Sequence, residues 1–193
     1  MKKIFYFTLF INLLLANNNI FYKGMNRFFN KDYKKALYYF KKSCDLNNSK
    51  ACFMTAVMYA KNKGVKKDIK KALTYLHKSC KLKNAIACYK IGLIYEMGFD
   101  VKTDYKKALK YFVISCNYKL MKGCLISALF YRYGEGTSNN LKKSIIFYKK
   151  ACELNSPEAC FALGELFKKD INLSKFYYKK SCKLGYKIGC KAN

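Results

Sequence analysis

The stretch Cys44-Asp-Leu-Asn-Asn-Ser-Lys-Ala-Cys52 places two cysteines eight positions apart around seven mostly polar residues. The same spacing returns as Cys80 and Cys88, Cys116 and Cys124, Cys152 and Cys160, and Cys182 and Cys190, which uses all ten cysteines of the chain. The first members of the pairs are 36, 36, 36 and 30 residues apart. A fixed period in this range marks a repeat array in which each unit buries its apolar face only against its neighbours.

Working outward from each pair, the residues before the first cysteine repeat a phrase seen most clearly as Asp32-Tyr-Lys-Lys-Ala-Leu-Tyr-Tyr-Phe-Lys-Lys-Ser-Cys44. It recurs over 68–80, 104–116, 140–152 and 170–182. Asp or Asn at its head can accept from the free N–H groups of a first helical turn, so it predicts a capped helix start. Small residues stand eight before the cysteine (Ala36, Ala72, Ala108, Ser144, Ser174) and aromatics five before it (Tyr39, Tyr75, Tyr111, Phe147, Tyr177). These spacings share one helical face. Beyond the second cysteine a further helix is predicted, small at the fourth place (Ala56, Gly92, Ala128, Gly164) and aromatic at the seventh (Tyr59, Tyr95, Tyr131, Phe167). The exits Asn62-Lys-Gly64, Gly98-Phe-Asp100 and Gly134-Glu-Gly136 carry residues that tolerate a left-handed backbone at both marked places. The fourth exit drops six residues, and the last helix is a stub after Cys190. The fold class is all-α, helix–turn–helix throughout.

Residues 17–31 lead into the first full unit, with Tyr22, Met25, Phe28 and Phe29 at helical spacing. Counted back from Asp32 as from Asp170, Tyr22 takes the place of Cys160, so this is a half-repeat helix that covers the end of the stack. The domain plan is 1–16 as a leader, 17–31 as the half-repeat and 32–193 as five repeats, the last truncated.

Composition and the N-terminus set the compartment. Hydrophobic residues make up 52% of 193, which excludes a disordered chain. Met1-Lys2-Lys3 followed by the thirteen-residue apolar run from Ile4 to Ala16 has the form of a secretory signal, cut near Ala16–Asn17. Loss of Lys2 and Lys3 leaves 37 basic against 11 acidic residues, a net charge of +26. The protein is expected in the periplasm or secreted, as a monomer without a membrane span, and its cysteines are therefore disulfides. The basic balance favours anionic partners, although a solvated lysine coat is the plainer reading of it. Two arginines, Arg27 and Arg132, are few for base readout, and nucleic acid is not expected as a partner.

In an αα-hairpin the last turn of one helix lies beside the first turn of the next, within disulfide reach. The repeat then selects Cys44–Cys52, Cys80–Cys88, Cys116–Cys124, Cys152–Cys160 and Cys182–Cys190. Each loop is worth roughly 2.5 kcal/mol in the chain-entropy model. Zinc prefers closer spacing with histidine, and thiol exchange usually uses Cys-x-x-Cys, so a structural staple is preferred over metal or redox chemistry. No metal or cofactor is expected. His77, alone of its kind, stands where other units have Lys41, Lys149 and Lys179, and is expected to be a solvated surface residue.

Ala51-Cys52 through Tyr59, Gly64-Val65, Asp68, Lys71-Ala72, Tyr75 and Ser79, with Ile91-Gly92-Leu-Ile-Tyr95, resemble Sel1-like repeats, relatives of the tetratricopeptide repeat. The added Cys-x7-Cys behind a signal peptide is similar to the Helicobacter cysteine-rich protein family. The resemblance covers residues 32–190, with Asn140, Ser144, Ser174 and the short fourth exit as departures. It implies a right-handed α-solenoid with one disulfide in each hairpin, export, and a weak β-lactamase or penicillin-binding activity towards β-lactam or peptidoglycan-derived ligands. The residues themselves supply no such enzyme. No serine here has a lysine three places on, and only Thr103-Asp-Tyr-Lys106 has the spacing. A hydrolase therefore rests on resemblance alone.

In tetratricopeptide arrays the helix like the one beginning at Cys52 lines the concave face, and the resemblance implies the same here. One place beyond the second cysteine stand Phe53, Tyr89, Leu125 and Phe161, and five beyond stand Val57, Leu93, Leu129 and Glu165. An apolar ladder edged by Lys50, Lys122, Arg132 and Lys168 suits an extended protein or peptide segment of acidic character. The alternative is that these side chains pack between repeats. Both remain open at this point.

Overall fold

A computed structural model describes residues 19–192. The proposed leader, residues 1–16, lies outside the described residues. The first helix, α1, runs over residues 19–29. It is followed by α2 (Tyr33–Asp45), α3 (Ser49–Ala60), α4 (Ile69–Lys81), α5 (Ala85–Met97) and α6 (Tyr105–Asn117). Then come α7 (Met121–Tyr133), α8 (Leu141–Glu153), α9 (Pro157–Leu166), α10 (Ile171–Lys183) and the stub α11 (Lys187–Lys191). The all-helical repeat architecture expected from the sequence is borne out. The chain divides into two units, residues 1–87 and 88–193, each with its own core.

Every even-numbered helix from α2 to α10 starts on the predicted cap. The side chains of Asp32, Asp68, Asp104, Asn140 and Asp170 accept from the backbone N–H three residues on, at 2.8–3.3 Å. This satisfies an otherwise orphaned donor of the first turn. In α6 the cap does more: Lys107 Nζ lies 3.1 Å from the Asp104 carboxylate and 5.3 Å from the Tyr95 ring centroid. The Lys107 backbone N–H and then its ammonium hold the Asp104 carboxyl below its ordinary range. The same pairing lowers Asp68 beside Lys71.

The small places do what their size suggests. Ala36, Ala72, Ala108, Ser144 and Ser174 are all buried. The two serines were departures from alanine, and each puts its hydroxyl on a carbonyl of the preceding odd helix: Ser144 donates to Ala128 O and Ser174 to Gly164 O. A buried hydroxyl needs such a partner. On the odd helices, a Cβ at Gly92 would come within 2.5 Å of the Phe112 ring and one at Gly164 within 2.6 Å of Tyr178. Those glycines are where rings of the next even helix lie against the backbone.

In the first unit, Ala36, Phe40 and Met58 form the core, with Phe21, Met25 and Phe28 of α1 packed on it. This corrects the expected face of α1: Met25 and Phe28 point inward, but Tyr22 and Phe29 are 67% and 72% exposed. The backbone gives the reason. Cap residues donate to the carbonyl of the last aromatic place of the preceding helix, as Asp68 N to Tyr59 O, Asp104 N to Tyr95 O and Asp170 N to Phe167 O. In α1 the equivalent bond runs from Asp32 N to Arg27 O. The exit after α1 is thus two residues longer than the one after α9, so Ile20 rather than Tyr22 takes the place of the second cysteine.

In the second unit, two clusters carry the core. One is built on Ala108, Leu109, Phe112 and Phe130, the other on Ala128, Phe147, Tyr148, Ala151, Leu163 and the cysteines between them. The exits turn as expected: Asn62, Gly64, Gly98, Asp100, Gly134 and Gly136 all have positive φ. A second set of left-handed residues was not foreseen. Each hairpin turn has one three places after the first cysteine, at Asn47, Lys83, Lys119, Asn155 and Gly185. That conformation reverses the chain tightly enough to bring the two cysteines together.

Candidate interaction surface

Four disulfides are resolved as expected, Cys44–Cys52, Cys116–Cys124, Cys152–Cys160 and Cys182–Cys190, with Cα–Cα distances of 4.5–4.8 Å. Cys80 and Cys88 are oxidised too, and no cysteine is free. The cysteines are at most 6% exposed from Cys44 to Cys160, whereas Cys182 is half-buried and Cys190 exposed. Buried disulfides of this kind do not offer a redox centre. Among the described residues no three His, Cys, Asp or Glu side chains could share a metal ion.

The ladder residues occupy an intermediate position that the two alternatives did not foresee. Phe53, Val57, Tyr89, Leu93, Leu125, Leu129, Phe161 and Arg132 are all half-buried. Phe53 and Val57 belong to the first unit. The others stand at matching places on α5, α7 and α9 of the second. Tyr89 packs on the Phe112 ring at 5.5 Å, and Phe161 lies 5.5 Å from Tyr178 and 5.3 Å from Tyr186. Leu93 packs on the cluster around Phe112, and Leu125 and Leu129 on the cluster around Tyr148. Each of these five side chains of the second unit therefore packs on the protein with one side and keeps the other in water.

The charged edge of this surface is more balanced than an acid-seeking groove requires. Glu165 accepts from the Tyr178 hydroxyl and pairs with Lys168 at 2.7 Å. Lys168 and Tyr178 together hold its carboxyl below the ordinary range, with Arg132 adding to the effect. Burial pushes the Tyr148 phenol up, and a hydrogen bond with Arg132 opposes the shift. On α5, burial first and the Glu135 charge second push the Glu96 carboxyl up. Positive charge at the α7–α9 edge is thus partly spent inside the protein. The phenols of Tyr148 and Tyr178 were missed as members of this network. Their signal was present: Phe40, Leu76 and Phe112 fill that place in earlier repeats, and the hydroxyls appear only where Arg132 and Glu165 stand beside them.

His77 departs from expectation. It is half-buried rather than solvated, and the lost hydration pushes its pKa below the ordinary value. Thr103 and Lys106, the residues with lactamase-like spacing, are both exposed on either side of the Asp104 cap. No described helix is long and apolar enough to cross a membrane.

The Sel1 repeat family model matches the chain five times, over residues 14–48, 49–84, 85–117, 124–156 and 157–186. In that frame each repeat pairs an odd helix with the even helix after it, α1 with α2 first. Every resolved disulfide then ties the end of one matched segment to the residues after it. Among solved structures, Helicobacter pylori cysteine rich protein B is 36% identical, with a TM-score of 0.54, covering 67% of this chain and 92% of that one. A Sel1 repeat protein from Oxalobacter formigenes is 24% identical, with a TM-score of 0.66, covering 79% of this chain and 64% of that one. A protective antigen of uropathogenic Escherichia coli with an SLR fold is 19% identical, with a TM-score of 0.73, covering 81% of this chain and 35% of that one. The chain spans less than two thirds of these last two proteins. No curated protein matches it in a sequence comparison. Five matched segments, capped even helices and oxidised Cys-x7-Cys pairs lead to one conclusion: the chain belongs to the Sel1 repeat family.

Proposed function

We propose that this Sel1 repeat protein is exported and works as an interaction module, taking an extended segment of a partner protein against the ladder of α5, α7 and α9. One observation carries the proposal: Tyr89, Leu93, Leu125, Leu129 and Phe161 repeat at equivalent places and stay half-exposed although all are apolar. Packing alone would bury them. The oxidised cysteines support a compartment outside the cytoplasm. With Glu165 beside Lys168 and Arg132, the partner segment is mixed in charge, apolar side chains alternating with both signs, rather than simply acidic.

Site-specific photo-crosslinking tests this. A benzophenone side chain at Leu93 or Leu129 should capture the same envelope protein, and one at Ile146, which is 52% exposed on α8, should not. Capture from Ile146 as readily as from Leu129, or from neither ladder place, would refute the proposal. Hydrolysis of β-lactams keeps only the resemblance in its favour. Turnover of a chromogenic β-lactam by the oxidised mature protein, above that of heat-inactivated protein, would reinstate it.

A further inference from the structure

Four times along the chain, the last aromatic place of an odd helix lies flat against a ring of the next even helix. Tyr59 stacks on Tyr75 at 5.7 Å, Tyr95 on Tyr111 at 6.2 Å, Tyr131 on Phe147 at 5.4 Å and Phe167 on Tyr177 at 5.8 Å, with interplanar angles of 11–17°. The Asp32 N–H to Arg27 O bond identifies Arg27 as the residue at that place in α1. Among the described rings, its counterpart Tyr39 meets the edge of its own neighbour Tyr38, at 71°. The first hairpin therefore has one ring of a two-ring stack. Beside it lies a cavity of 280 Å³ lined by Lys23, Asn26, Arg27, Asn30 and Tyr39.

The lining chooses the ligand. Lys23 and Arg27 supply positive charge, and the Asp32 carboxylate, 3.9 Å from Arg27, also serves Lys35 at 3.7 Å. Asn30 donates to Asn26 Oδ1 at 2.9 Å, so the two amides add a polar, hydrogen-bonded pair to the lining. The cavity lies just below the range of drug-sized pockets and suits a single ring. We propose that it binds a planar aromatic group carrying a carboxylate. The ring completes the stack on Tyr39, and the carboxylate is held by Lys23 and Arg27. A C-terminal aromatic residue of a peptide has this chemistry. The proposal is independent of the ladder, which lies on other helices.

N-acetyl-phenylalanine, its amide and acetate are the probes, followed by NMR of the oxidised mature protein. The acid should shift the Tyr39 ring and Arg27 side-chain signals with millimolar affinity, and the amide should bind about five-fold more weakly. Acetate should not shift the Tyr39 ring. In Arg27→Tyr the new ring fills the stack, so the melting temperature should rise while the ligand-induced shift at Tyr39 disappears. Lys23→Gln, on an exposed position, should weaken the acid and leave the amide unchanged. Equal binding of acid and amide, an acetate response at Tyr39, or undiminished binding by Arg27→Tyr would overturn the proposal. If Arg27→Tyr fails to fold, Lys23→Gln binding the acid as the native protein does would overturn it.

Discussion

Two disulfides with the same loop length should contribute very differently, and paired alanine replacements can show it. Cys116–Cys124 and Cys182–Cys190 each have a sequence separation of 8 and similar Cα–Cα distances, 4.5 and 4.6 Å. Chain entropy assigns both roughly 2.5 kcal/mol. Their surroundings differ. Cys116 and Cys124 are 4% and 0% exposed inside a cluster with Ala128, Tyr148 and Cys152. Removing two buried sulfurs there adds about 1 kcal/mol each in lost packing, for a total of about 4.5 kcal/mol. Cys190 is exposed, and its bridge holds only the five-residue α11, which can fray without unfolding anything else. Cys182→Ala with Cys190→Ala should therefore cost less than the entropic figure and show mainly as faster amide exchange over residues 187–191. The inner double replacement should lower the urea midpoint strongly and broaden the transition, because it cuts a nearest-neighbour link in a repeat array. Equal losses from the two pairs, or the larger loss from the terminal one, would refute this reasoning.

Backbone conformation and caps give three further expectations. Gly64 has φ +70, and a Cβ there would lie 2.6–2.7 Å from the backbone of Tyr33, so Gly64→Ala should destabilise by about 2–3 kcal/mol in thermal unfolding. Lys119 holds φ +62 where the last repeat has Gly185, so Lys119→Gly should stabilise by about 0.5 kcal/mol after the entropy of glycine is counted, and a clear loss of stability would contradict it. The lowered pKa of Asp104 means that its cap stabilises fully above the ordinary value of 3.8 and is lost as pH falls through the lower folded value. Asp104→Asn keeps the acceptor, as Asn140 does at 2.9 Å in α8, so the variant should lose less stability than the native protein below pH 3.8. Parallel melting curves for the two down to strong acid would sink that account.

Much of this was legible because the repeat states each fact several times. Five caps, five small places and six left-handed exit residues fell where spacing put them, since each depends on local geometry that one residue type satisfies best. The left-handed hairpin turns escaped notice because Lys83 and Lys119 hold them against their own preference, enforced by the cysteines on either side. The register of α1 was misplaced for a different reason. Its exit length is unique in the chain, and an arginine stands where α3, α5, α7 and α9 lead to a ring, so the remaining signal was Gly24, which lies against the Phe40 ring as Gly92 lies against Phe112. Surface exposure of the ladder was not decidable from sequence either. Tyr89 and Phe161 share a spacing with true core residues, and only tertiary packing determines how much of each ring remains in water.

The claim on which the rest depends is that the Cys-x7-Cys pairs are short-range staples in an exported protein. Mass spectrometry of the protein taken from its own cells and culture medium, alkylated at the moment of lysis, tests it directly. The expected result is an N-terminus near Asn17, no alkylated cysteine, and crosslinked peptides joining Cys44 to Cys52, Cys80 to Cys88 and so on to Cys190. An intact Met1 with ten alkylated cysteines, or bridges between cysteines of distant pairs, would contradict the account.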